Sequence, residues 1–123
     1  ISGIETHGHH LNMRYGNFNK AFDLIPDSIF SLLLIHDPDA WDKAEQYDRM
    51  PQLALAGHTH GMQAGLPWRG SYISPASIYH KYWRGLYSKG DKKLCVTTGM
   101  GTIGMALRIF MPPEIVVITL KGK

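Results

Sequence analysis

Two short apolar runs, each ending in histidine, limit most strongly what this chain can fold into. Residues 29–35 are apolar except for Ser31 and lead directly into His36. Residues 52–56 hold Leu53-Ala54-Leu55-Ala56 and lead into Gly57-His58-Thr59-His60-Gly61. A short run without polar alternation, bounded by turn residues such as Asp27-Ser28 and Asp37-Pro38, reads as a strand buried on both faces. Such strands belong to parallel sheets with helices packed against them.

The rest of the chain fits that frame. Residues 1–5 read as a short strand, 94–98 as a third buried strand, and 114–120 as a final β-branched strand. Residues 17–24 read as a short helix with Asn17 at its N-cap and Pro26 closing the segment. Residues 38–47 read as a second helix, with proline in its first turn, Asp37 as a cap, and Trp41 and Ala44 sharing an inner face. Residues 61–87, rich in glycine, proline and aromatics, read as a long functional loop. The expected fold class is α/β: mostly one mixed sheet with short helices.

Length and charge bound the function. The 123 residues fit one domain, and 44% hydrophobic with 19% charged residues is a globular, folded composition. Net charge is +3 with no dense basic run, which suits an anionic substrate or an anionic surface and gives no case for nucleic acid. Cys95, the single cysteine, lies in an apolar run and reads as a buried, inert thiol. No apolar stretch approaches the ~18–20 residues of a membrane span. The chain opens on Ile1 inside a strand, so residues 1–123 are expected to be a piece of something longer.

The chemistry gathers at the strand ends, where α/β folds hold reactive groups rigidly. In extended backbone, His58 and His60 would project to one side, toward one metal or two adjacent ones. Gly57 and Gly61 would let the backbone turn and approach closely. Neutral imidazole is the commonest metal ligand. A lone histidine after a strand, such as His36, is more often a hydrogen-bonded structural residue. A His-Thr-His framed by glycines is more specific.

The segments Leu33-Leu34-Ile35-His36-Asp37-Pro38 and Ala56-Gly57-His58-Thr59-His60-Gly61-Met62-Gln63 resemble the C-terminal half of calcineurin-like metallophosphoesterases. Trp83-Arg84-Gly85-Leu86-Tyr87, Thr98-Gly99-Met100-Gly101-Thr102, Arg108 and Pro113-Glu114-Ile115 with Ile118-Thr119-Leu120 are similar to the same family's closing segment. The likeness covers residues 28–120 and is nearest to a bacterial branch that often carries N-terminal membrane helices. It implies the C-terminal part of an αββα sandwich. It implies His36 and His58 on one metal and His60 on the other. The ions would be two divalent or trivalent metals (manganese, iron or zinc), and the reaction hydrolysis of a phosphate ester by a two-metal, bridging-hydroxide mechanism. Thr59 would mainly shape the turn. Met62 departs from the family's commoner glycine.

The family also requires Asp-X-His, Gly-Asp and Gly-Asn-His motifs upstream, and none occurs here. Gly90-Asp91 comes after the His-Thr-His loop, in a lysine-rich turn. Two divalent ions carry a charge of about +4, which three neutral imidazoles cannot balance without carboxylates. The chain is therefore expected to be inactive alone, to need the missing N-terminal half as a partner, and to form a homodimer or swapped oligomer through its uncovered sheet. The competing reading is a non-catalytic metal-binding or assembly module.

Lesser candidates complete the reading. Arg69, Arg84 and Arg108 are candidate phosphate contacts, with Trp68, Tyr72, Tyr82 and Trp83 as a groove lining. Gly99-Met100-Gly101-Thr102-Ile103-Gly104 matches a dinucleotide fingerprint, but Pro112-Pro113 leaves little room for the helix that should follow. His7, His9 and His10 form a second cluster, read as an exposed loop.

Overall fold

The computed structural model describes residues 1–5, 16–46 and 50–122; the cluster His7, His9 and His10 lies outside them. The chain forms a mixed α/β unit around a five-stranded sheet of order β1-β2-β3-β7-β6. Its strands are β1 Ser2–Gly3, β2 Leu32–Leu34, β3 Leu53–Ala56, β6 Gly85–Lys89 and β7 Lys92–Val96. All neighbours run parallel except β6 with β7, which form a hairpin around Gly90-Asp91. A separate hairpin joins β4 Leu66–Trp68 to β5 Ser71–Ile73. Among the described residues, no helix is long and apolar enough to cross a membrane.

The core lies on one face of the large sheet. Leu33, Ile35, Ala54, Ala56, Leu94 and Val96 point to that face and meet Phe18 and Phe22 from α1 (Phe18–Phe22) and Trp41 and Ala44 from α2 (Ala40–Ala44). Asn17 caps α1 by accepting a hydrogen bond from the Lys20 N–H at 3.1 Å. Trp41 is fully buried, with Tyr82 edge-on at 5.3 Å. Asp42, one residue on, accepts hydrogen bonds from Lys81, Lys89 and Tyr82 and so ties α2 to the segment leading into β6.

The elements differ from expectation in four places. The strand expected at 29–35 begins only at Leu32, because the Ser31 N–H and hydroxyl both go to the Gln52 side chain, at 2.7 and 2.9 Å. Ile29 and Phe30 are accordingly exposed. The cap expected from Asp37 falls earlier: its carboxylate accepts the Asp39 N–H at 3.0 Å, and Asp39 is the residue that precedes α2. The loop expected over 61–87 contains β4, β5, α3 (Ala76–Tyr79) and the start of β6. The β4–β5 turn is Arg69-Gly70, both at positive φ (47° and 78°), which suits a two-residue hairpin but lacks the usual Asn-Gly signal.

The fourth difference is the strand expected at 114–120, which is absent. β7 is already bonded on both sides, to β3 and β6, and the segment pairs with neither free edge of the sheet, β1 or β6. Ile115, Val116 and Ile118 instead line a cavity of about 460 Å³ with Leu55 and Cys95, on the sheet face away from the core. β-Branched composition makes a strand only where a partner edge exists.

Candidate metal centre

β2 and β3 are parallel neighbours, with Leu34 opposite Leu55, so both leave the sheet at the same end. This places His36 beside His58. His58 Nδ1 lies 2.8 Å from His36 Nε2, with ring centroids 4.6 Å apart and planes at 60°. Two imidazoles can share one proton at that separation. Two nitrogens each ~2.1 Å from a common ion at a right angle would also lie roughly 3 Å apart, so this donor pair fits a metal. Partial desolvation, followed by the nearby His36, pushes the His58 imidazole below its usual pKa, with His80 and His60 adding to the effect and Asp37 opposing it. That favours the neutral, metal-binding form.

His60 does not join this pair in a tight trio. Its Nδ1 is buried and has no hydrogen-bond partner among the described residues. A buried polar nitrogen left without a partner is costly, so this atom also fits a ligand role. The only described trio whose ligand atoms all lie within 4.8 Å of one another is Asp37, Asp39 and His80.

The backbone carrying His58 and His60 is not extended, contrary to expectation. His58, His60, Met62 and Gln63 have φ of 68°, 48°, 47° and 55°, and Gly61 has 56°. Each non-glycine residue in the left-handed region costs roughly 1–2 kcal/mol, so the turn needs outside support. Thr59 supplies some: its hydroxyl donates to the Trp83 carbonyl at 2.7 Å and accepts from the Gly61 N–H at 3.3 Å. Gln63 supplies more. Its amide donates to the Met105 and Leu107 carbonyls at 3.1 and 3.2 Å and accepts from the Ile103 N–H. The Ser74 hydroxyl donates to the Gly61 carbonyl at 2.8 Å.

The two framing glycines turn out to be unequal. A Cβ on Gly61 would lie 2.9 Å from Met111 Cε and 3.2 Å from Thr98 Cγ2, on backbone that disfavours any side chain. A Cβ on Gly57 would meet nothing within 4 Å, and its φ is not left-handed. Met62 occupies a left-handed position, which glycine would adopt without strain.

The three arginines lie in different settings. Arg84 pairs with Glu114 at 2.8 Å and sits 4.7 Å from the Tyr72 ring centroid. Arg108 donates to the carbonyls of Thr98 (2.9 Å), Gly99 (3.1 Å) and Gly101, and so shapes the glycine-rich segment. Gly99 and Gly104 have φ of 65° and 71°, as turns require. Arg69 stands at the exposed tip of the β4–β5 hairpin, with its guanidinium 5.7 Å from the Trp68 ring centroid.

The sequence reading missed two polar residues at the centre. Asp39 Oδ2 lies 3.1 Å from His80 Nδ1, and the His80 ring stands edge-on to His58 with centroids 5.7 Å apart. Forty-one positions separate Asp39 from His80, and no local motif marks either one.

No family model matches the chain, and no solved structure was found to match it. Three curated relatives carry informative names. The uncharacterized metallophosphoesterase YkuE of Bacillus subtilis is 43% identical over 107 residues, 86% of this chain and 36% of its own length. An uncharacterized metallophosphoesterase of Campylobacter jejuni is 41% identical over 95 residues, 76% of this chain and 23% of its own length. The phosphodiesterase YaeI of Escherichia coli is 34% identical over 89 residues, 72% of this chain and 32% of its own length. The chain thus spans about a quarter to a third of the curated relatives it matches. Over that region, which includes the strand ends bearing His36, His58 and His60, it is a homologue of proteins named metallophosphoesterases.

Proposed function

We propose that this chain supplies the histidine side of a two-metal phosphoesterase site, with His36 and His58 serving one ion and His60 the other. The observation that carries the reading is the approach of His58 Nδ1 to His36 Nε2 at 2.8 Å, at the ends of two parallel strands. Among the described residues, the buried Nδ1 of His60 has no hydrogen-bond partner and forms no tight trio with that pair, which is in keeping with a second ion. Two such ions, when bound, supply Lewis acidity and an activated water for attack on phosphorus. The chain's own residues do the rest. His36, His58 and His60 present neutral nitrogens, and Thr59, Gln63 and Ser74 hold the turn that aims two of them.

The substrate class is a phosphate ester. Of the three arginines only Arg69 is exposed, which makes it the first candidate for a substrate contact. Arg84 and Arg108 would contribute only by giving up Glu114 or the backbone carbonyls they now hold.

The same reading makes the chain incomplete as a catalyst. Acidic ligands that balance two ions would come from the longer polypeptide, as the relatives' greater length allows. The exposed side chains of Leu34, Leu86, Ile115, Val117 and Leu120 favour self-association of the chain alone. The test is turnover on a panel of phosphomonoesters and diesters with manganese, iron or zinc added. Activity in the full-length protein and none in the 123-residue chain is expected. Turnover by the purified chain alone would overturn its incompleteness. A full-length protein that binds metal yet hydrolyses nothing would favour the non-catalytic module. Light scattering that shows a stable monomer at high concentration would overturn the association.

A further inference from the structure

We infer that the Asp39–His80 pair positions His58, holding its imidazole in the orientation that faces His36. This rests on the metal-site reading above. His58 stands on a strained turn, at φ 68°, and its ring meets two others: His36, and His80 at 5.7 Å with planes at 89°. His80 is itself well fixed. Its Nδ1 lies 3.1 Å from Asp39 Oδ2, with the two side chains 18% and 16% exposed. Its peptide N–H closes α3 by bonding the Ala76 carbonyl at 2.9 Å. Asp39 is fixed in turn, as the residue before α2, with its N–H held by Asp37.

The chain of contacts therefore runs from two helix ends, through a carboxylate and an imidazole, to the ring of His58. A carboxylate behind a histidine selects its Nδ1–H tautomer and fixes its ring plane. Here that control reaches the ligand one ring further on. His80 is a positioning residue in this account: it shapes the site through His58 and binds no ion itself.

The experiment is a Co²⁺ titration of the full-length protein, followed by visible absorption, in the wild type and in His80→Ala, Asp39→Asn and His58→Ala. His80→Ala should weaken one Co²⁺ equivalent by about 10–100-fold and change its absorption band, while leaving the other equivalent unaltered. Asp39→Asn should shift the same equivalent in the same direction by less. It keeps the side chain's size, so it decides the matter if His80→Ala fails to fold. Wild-type affinity and spectrum in both variants would overturn the inference and leave the pair as a tie between two helices. That result leaves the metal-site reading standing. A wild type that binds no Co²⁺, or a His58→Ala variant that binds it unchanged, would overturn both.

Discussion

The exits from β2 and β3 bring histidines to one place by opposite means. After β2, the chain turns on ordinary geometry: Asp37 accepts the Asp39 N–H, Pro38 follows, and α2 sends Trp41 into the core seven residues after the strand. After β3, four non-glycine residues and Gly61, all within residues 58–63, take left-handed φ values of 47° to 68°. Groups far along the chain hold them there: the Trp83, Met105 and Leu107 carbonyls and the Ser74 hydroxyl. One exit is stabilised by core packing and local turn chemistry. The other depends on long-range hydrogen bonds that offset its backbone strain. Strained backbone held by distant clamps is a recurring property of functional sites.

This contrast can be tested from both sides. Trp41→Ala should destabilise most, by about 3–5 kcal/mol, since it empties the fully buried anchor of the β2 exit. Denaturant unfolding would measure it, and a loss near 1 kcal/mol would mean that α2 is not the anchor. Gly61→Ala should follow, at about 2–4 kcal/mol, from left-handed backbone and the overpacking of Met111 and Thr98. A wild-type unfolding midpoint in that variant would show that the β3 turn is not held as described.

Acid separates the two exits in another way. Burial raises the pKa of the Asp42 carboxyl, but hydrogen bonds from Lys81, Lys89 and Tyr82 outweigh that and hold it down to about 2, against an ordinary 3.8. A depressed carboxylate pKa contributes stability above the unfolded value and loses it as pH falls through the folded one. The tie between α2 and β6 should therefore weaken between about pH 4 and pH 2, and Asp42→Asn should flatten that part of the stability curve. An unchanged slope in the variant would remove Asp42 from the account. Gly57→Ala should do least, within about 0.5 kcal/mol, because open space surrounds its Cβ position.

The same contrast explains what could be read from the sequence. The β2 exit was legible because its rules are local: an apolar run, Asp-Pro, then a helix with Trp41 and Ala44 inward. Three buried strands of the sheet were legible from runs without alternation; their order was not. The left-handed turn after β3 was not legible, because the groups that clamp it lie up to 44 residues away from Gln63. The sequence pointed to His58 and His60 through their framing glycines, yet only Gly61 has a steric reason to be glycine. Asp39 and His80 were missed for the same reason as the clamps: their meeting is purely tertiary. The run at 114–120 was misread because strand propensity says nothing of whether the segment meets a free edge.

The central claim is that His36 and His58 serve one ion and His60 another. Its most direct test is the metal content of the full-length protein, counted together with phosphate-ester turnover, in the wild type and in the single alanine variants. Two ions are expected in the wild type. His36→Ala and His58→Ala should each lose the same ion, His60→Ala should lose the other, and each should lower turnover by about 10²–10³-fold, the scale of removing a transition-state stabiliser. Unchanged metal content and turnover in a folded His58→Ala variant would contradict the account.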